Sequence, residues 1–165
     1  MKPTLLILIG PPGSGKTYFS RQFAERNDFT RINSDDVRES MYPQPAYTAK
    51  ERLHVYQEMD SRVIATLKQG KNVIYDGNLL TNTARAQALE SFERYCTVLF
   101  LELVITEDQA LQRALQRGNN LDPLYKEHIH AIYQAFEPLD PGLPSLALNS
   151  TADYLQLENQ VKAVI

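Results

Sequence analysis

A lone cysteine, Cys96, leaves the 165-residue chain without any possible internal disulfide. Its apolar neighbours read as the surroundings of a buried structural thiol, not of a nucleophile. No apolar run approaches the roughly 20 residues of a membrane span. The stretch at residues 5–9 is also too short, and too soon followed by Gly10 and Pro11, to be a signal peptide. These absences lead us to expect a reducing, cytoplasmic setting and no membrane partner. A basic excess is missing too, since the formal net charge is −3. Proteins that grip long duplexes through many phosphates carry such an excess, so extended nucleic-acid binding is disfavoured, whereas contact with one strand end is not. Repeats and low-complexity tracts do not occur. What remains, 43% hydrophobic and 22% charged, is an ordinary globular balance in a length that suits a single domain with its own core.

Short apolar runs at residues 4–9, 29–33, 72–75, 96–104 and 145–148 read as strands. Because they alternate with helical stretches, they predict an α/β fold in three layers around a five-stranded parallel sheet. The clearest helix spans residues 48–69, with Leu53, Tyr56, Met59, Val63, Ile64 and Leu67 at three- and four-residue spacing. Thr48 with Glu51 makes a capping-box pattern at its start, and Gly70 stops it. Thr106 with Gln109 forms a second box, and further helices are expected over residues 82–94 and 123–136. Pro138, Pro141 and Pro144 mark a loop. His54, His128 and His130 are scattered, and the last two are spaced for opposite helix sides, so none suggests a shared metal.

Gly10-Pro11-Pro12-Gly13-Ser14-Gly15-Lys16-Thr17 fits the phosphate-loop pattern G-x-x-x-x-G-K-[S/T]. Glycines let successive N–H groups turn inward around phosphate oxygens, and the helix that follows adds its positive end. In that setting Gly10, Gly13, Ser14 and Gly15 line the nucleotide, Lys16 reaches the β- and γ-phosphates, and the Thr17 hydroxyl ligates Mg²⁺. A strand before the loop and Phe19, Phe23 and Ala24 after it supply the expected context. At the end of the second strand stand Asn33-Ser34-Asp35-Asp36-Val37-Arg38. Ligands of open parallel sheets bind outside the strand C-termini, so Asp35 is placed to take a proton from an acceptor hydroxyl and Arg38 to face an anion. The alternative is that Ser34 or Asp35 only caps a short helix. Asp76, ending the third strand, suits the water shell of Mg²⁺, although Asp76-Gly77-Asn78 is also turn chemistry. Arg113 and Arg117 lie four apart on one helix face beside Gly118, an arrangement that a surface helix also shows without function.

The run Pro-Gly-Ser-Gly-Lys-Thr, followed by Ile32-Asn33-x-Asp35-Asp36-x-Arg38, resembles the kinase domain of phage-type polynucleotide 5′-kinases. It is equally similar to the small bacterial P-loop kinases that include zeta toxins and antibiotic phosphotransferases. The resemblance implies ATP and Mg²⁺ as cofactors, Asp35 as general base, Arg38 and Asn78 toward the substrate, and Arg85 downstream of Asp76. It also implies that Arg113 and Arg117 enter a lid over about residues 113–127, with Arg117 reaching the phosphates. The segment Phe136-Glu137-Pro138 recurs in the group without known chemistry. The expected function is therefore transfer of a γ-phosphoryl group to a hydroxyl by one domain spanning residues 1–165. A polynucleotide 5′ end is slightly favoured over nucleoside, sugar-nucleotide or antibiotic acceptors. An ATPase or a simple nucleotide-binding module is the rival class.

Overall fold

Successive residues of the first strand, β1 (Thr4–Ile9), feed two separate cores. Leu5, Ile7 and Ile9 pack into one and Leu6 and Leu8 into the other, the period-two alternation of a strand buried on both faces. The computed structural model describes residues 2–116 and 123–165. Four more strands follow: β2 (Phe29–Asn33), β3 (Asn72–Asp76), β4 (Thr97–Val104) and β5 (Ser145–Asn149). All neighbours are parallel, in the order β2-β3-β1-β4-β5. The expected five-stranded sheet is thus present, with bounds that differ from the sequence reading by a residue at most.

Helices cover both faces. Phe19 and Phe23 of α1 (Lys16–Asn27) close the core around Leu6 and Leu8, together with Leu157 and Val161 of α7 (Tyr154–Lys162). Against the opposite face lie α2 (Ser34–Met41), α3 (Ala49–Lys68) and α4 (Asn82–Phe92). They contribute Val37, then Val55, Met59, Val63 and Leu67, then Phe92. Two further helices, α5 (Glu107–Gln116) and α6 (Pro123–Ala135), complete the described chain. Cys96 is buried and its thiol is pushed up to about 11 by that burial, which fits the structural role expected of it.

The two capping patterns turn out differently. At α5 the box is reciprocal: the Gln109 N–H donates to Thr106 Oγ1 at 3.2 Å and the Thr106 N–H to Gln109 Oε1 at 3.1 Å. At α3 the Glu51 N–H donates to Thr48 Oγ1 at 3.1 Å, but the Glu51 carboxylate turns inward instead of back. The buried line of α3 accordingly runs through Glu51, Val55, Met59, Val63 and Leu67, and Leu53, expected on the apolar stripe, is 57% exposed.

Arg85 of α4 is fully buried. Its Nε donates to Leu79 O, its Nη1 to Asn82 Oδ1 and Glu137 O, and its Nη2 to Leu80 O, all within 2.8–3.1 Å. The guanidinium lies 4.9 Å over the Phe136 ring. Glu137 Oε2 in turn accepts from the Asn82 N–H at 2.6 Å, and Asn82 Nδ2 donates to Pro138 O. The Phe136-Glu137-Pro138 segment is therefore a clamp between the start of α4 and the chain leading to β5. Arg85→Ala would strand several buried carbonyl groups. A loss of about 3 kcal/mol is expected in urea unfolding, with Arg85→Lys recovering only part because it offers fewer donors.

Candidate active site

The phosphate loop is shaped by what crowds it. Gly13 has φ +83, and a Cβ there would stand 2.8 Å from Ala110 Cβ of α5. A Cβ at Gly10 would meet Ser14 Oγ at 2.6 Å and Leu103 O at 3.0 Å. Neither position tolerates a side chain while α5 and β4 stay packed on the loop. Lys16 folds over the loop and donates to Gly10 O at 2.5 Å and Pro11 O at 3.3 Å. Burial pushes its ammonium down to about 8, and the Asp76 carboxylate offsets part of that. Thr17 stays exposed, and a cavity of about 160 Å³ is lined by Pro12, Gly13, Gly15, Lys16, Thr17 and Tyr18.

Arg113 reaches this loop from α5. Its Nη1 donates to Gly13 O at 3.0 Å and Ser150 Oγ at 2.8 Å, and its Nη2 to Ser150 O at 2.6 Å. Ser150 Oγ donates onward to Ser14 O at 2.6 Å. The arginine thus ties the loop to the exit of β5, beside a cavity of about 200 Å³ that Ser14, Gly15, Tyr18, Thr151 and Tyr154 help to line. Arg117 and residues 118–122 of the expected lid lie outside the described residues.

At the end of β2 the cap of α2 is neither Ser34 nor Asp35. Asn33 Oδ1 accepts from the Asp35 N–H at 3.0 Å and the Asp36 N–H at 3.2 Å. The same side chain donates through Nδ2 to Asp76 O at 3.1 Å, which fastens the ends of β2 and β3 together. Asp35 is left exposed in the wall of a cavity of about 610 Å³, with Arg38, Glu39, Tyr42, Pro43, Pro45 and Tyr47. Arg38 lines that cavity but already has its anion: Nη1 donates to Glu51 Oε1 at 2.7 Å. Burial alone would push the Glu51 carboxyl up. Hydrogen bonds from Arg38 and the Ala46 and Tyr47 N–H groups, with the Arg38 charge, outweigh it and hold the group below the usual carboxylate value.

Asp76 is buried, and its Oδ2 accepts from Ser20 Oγ at 2.8 Å, Arg31 Nε at 3.0 Å and Arg31 Nη2 at 2.8 Å. Arg31 Nη1 also reaches Asp36 Oδ2 at 2.6 Å. Asn78 is exposed, and its backbone N–H donates to Tyr56 Oη at 2.7 Å. Arg31, Glu51, Tyr56 and Ser150 are thus site residues that the sequence reading missed. Only Glu51, through its capping position, carried a local signal.

Thr17 and Asp76 are hard oxygen donors, and among the described residues no group of three or more His, Cys, Asp or Glu gathers as a metal cage. That donor set fits Mg²⁺, which takes one or two carboxylates with waters and phosphate oxygens, and lacks the nitrogen and sulfur donors that Zn²⁺ or copper would draw on.

A family model described as an AAA domain matches residues 5–139. No curated protein matches the sequence. Among solved structures, a chain of the Pnkp1/Rnl/Hen1 RNA repair complex is similar at 26% identity and a TM-score of 0.68, over 81% of this chain and 44% of that one. The present chain therefore spans less than half the length of that relative. A sugar kinase from a Janibacter species superposes with a TM-score of 0.76 at 19% identity, over 98% of this chain and 93% of its own. A gluconokinase from Sinorhizobium meliloti gives 0.74 at 17%, over 98% and 91%. At such identities the two kinases establish a shared P-loop kinase-like fold and nothing finer. No described helix is long and apolar enough to cross a membrane.

Two outcomes follow from this geometry. Arg31→Ala leaves Asp76 buried without its cation, so a loss of about 3 kcal/mol is expected in thermal or urea unfolding. For Lys16, below pH 8 both folded and unfolded chains carry the charge and the burial cost is full. Between about 8 and 10.5 the folded chain has shed a proton that the unfolded chain keeps, so stability rises with pH across that window. The limit is about 3 kcal/mol, to be read from urea midpoints at successive pH, and Lys16→Met should remove the rise.

Proposed function

From the chain's membership of the AAA domain family, and from the geometry around its phosphate loop, we propose an ATP-dependent phosphotransferase acting on a hydroxyl acceptor. What carries this reading is that Asp35 stands exposed in the wall of a roomy cavity separate from the two spaces beside the loop. A nucleotide switch or a binding module has no use for a second cavity with a carboxylate at its edge. The whole chain is assigned to one kinase domain, with residues 113–127 as its lid.

In this reading ATP lies on Gly10, Gly13, Ser14 and Gly15, with Lys16 on its β- and γ-phosphates and Arg113 beside the nucleotide. Arg117 is assigned to the γ-phosphate from the lid. Mg²⁺, held by Thr17 and through water by Asp76, would neutralise phosphate charge. The acceptor oxygen bonds to the γ-phosphorus while the bond from that phosphorus to the bridging oxygen breaks. ADP leaves with the electron pair and Asp35 takes the acceptor's proton. Asn78 and Arg38 border the acceptor. A polynucleotide 5′-hydroxyl is the acceptor favoured by the similarity to the RNA repair chain, whereas small hydroxyl compounds are favoured by the character of the cavity.

Asp35→Asn is the cleanest test, because the cap of α2 belongs to Asn33 and is untouched. The expected result is a fall in kcat of about 10²- to 10⁴-fold with ATP affinity retained, while Lys16→Ala loses both. Transfer from labelled ATP to acceptor panels gives the readout. Acceptor-independent ADP release that Asp35→Asn leaves intact would mark an ATPase instead.

A further inference from the structure

We infer that the Asp35 cavity selects a small hydroxyl compound without anionic groups, uncharged or cationic, and not a nucleic-acid end. This rests on the phosphotransferase reading above and deepens it.

Among the described residues Arg38 is the one cation lining the cavity, and the chain has already committed it. The residue is 8% exposed, and the carboxylate that holds it, Glu51, is 5% exposed. Glu51 Oε2 also accepts the Ala46 N–H at 2.8 Å and the Tyr47 N–H at 3.2 Å, so the same anion fixes the chain segment that forms the opposite wall. The Tyr47 ring then covers the guanidinium at 5.0 Å. To pull Arg38 toward a phosphate would leave Glu51 buried without its cation, a cost that an incoming anion must repay before it gains anything.

Among the described residues, the charges left uncommitted at the cavity are acidic. Asp35 and Glu39 lie four apart on α2, both exposed and both in the lining. Arg52 on α3 is exposed but does not line the cavity. A phosphate flanking the acceptor hydroxyl would therefore meet two carboxylates and a neutralised arginine. An amine or a donor-rich polyol would meet acceptors. Tyr42, Tyr47, Pro43 and Pro45 supply ring and aliphatic surface, and Tyr42 Oη is hydrogen-bonded to His54 Nδ1 at 3.0 Å, which keeps that wall firm. Arg38 Nε is buried and has no hydrogen-bond partner among the described residues, so it offers no accessible donor to a ligand in the cavity. A volume of about 610 Å³ falls in the ordinary range of small-molecule pockets.

The test compares matched acceptors: nucleosides against their 3′-monophosphates and 5′-hydroxyl oligonucleotides, with aminoglycosides as the cationic arm. Binding is followed by amide chemical shifts of residues 35–47, and transfer by labelled ATP. At least one uncharged or cationic compound should bind tenfold or more tightly than any anionic one and become labelled. Glu39→Lys should narrow or invert that order. If anionic members bind as well or better, or if no small compound perturbs these amides, the inference is overturned whatever the turnover. If a neutral member binds with the expected preference yet no acceptor is ever labelled, the phosphotransferase reading fails while the selectivity stands.

Discussion

A single carboxylate oxygen, Asp76 Oδ2, accepts three hydrogen bonds from two side chains, and most of the site's geometry hangs from it. Ser20 brings in α1 and hence the phosphate loop, Arg31 brings in β2, and Arg31 passes the connection on to Asp36 of α2. Asn33 adds a fourth tie, from the cap of α2 to the backbone of Asp76. An ionised carboxylate with 3% of its side chain exposed survives only when such partners compensate its lost hydration. The partners that compensate Asp76 therefore also fix the start of α2, on which Asp35 stands. The carboxylate also reaches Lys16, whose ammonium feels the Asp76 field against the cost of its own burial.

Arginine is used here chiefly to hold the chain against itself. Arg31, Arg38, Arg85 and Arg113 each donate to carboxylates, carbonyls or hydroxyls of the protein. A guanidinium has five donors in a fixed fork and cannot shed its charge, so once it is drawn inside the fold it must find acceptors there. Arg113 illustrates the consequence. It does approach the loop, as the spacing on α5 suggests, but it does so by gripping Gly13 O and Ser150, which makes it a brace of the loop as well as part of the wall of the adjoining cavity.

The strands were legible because burial on both faces leaves a nearly continuous apolar run, and the phosphate loop because its glycines answer to local crowding. Helix starts were legible to the extent that their caps close within a few residues. Thr106 and Gln109 satisfy each other, whereas Glu51 finds better partners in Arg38 and in the turn before the helix. That choice also moves the buried line of α3 onto residue 51 and leaves Leu53 in solvent. Arg31, Tyr56 and Ser150 carried no local signal. Each acts on a partner between 22 and 136 residues away in the chain, and only the fold brings such pairs together.

The proposed division of charge between the two sides of the site has a consequence for turnover. A nucleotide laid on the loop would rest on N–H groups, a helix N-terminus and Lys16, all of which favour anions. The acceptor cavity presents Asp35 and Glu39, which do not. Under that proposal, phosphoryl transfer from the first side to the second would convert a ligand that the acidic wall admits into one that it opposes. In the proposed reading the acceptor would bind while neutral or cationic and be repelled once it carried the new phosphate, so the wall that selects the substrate would also weaken the hold on the product.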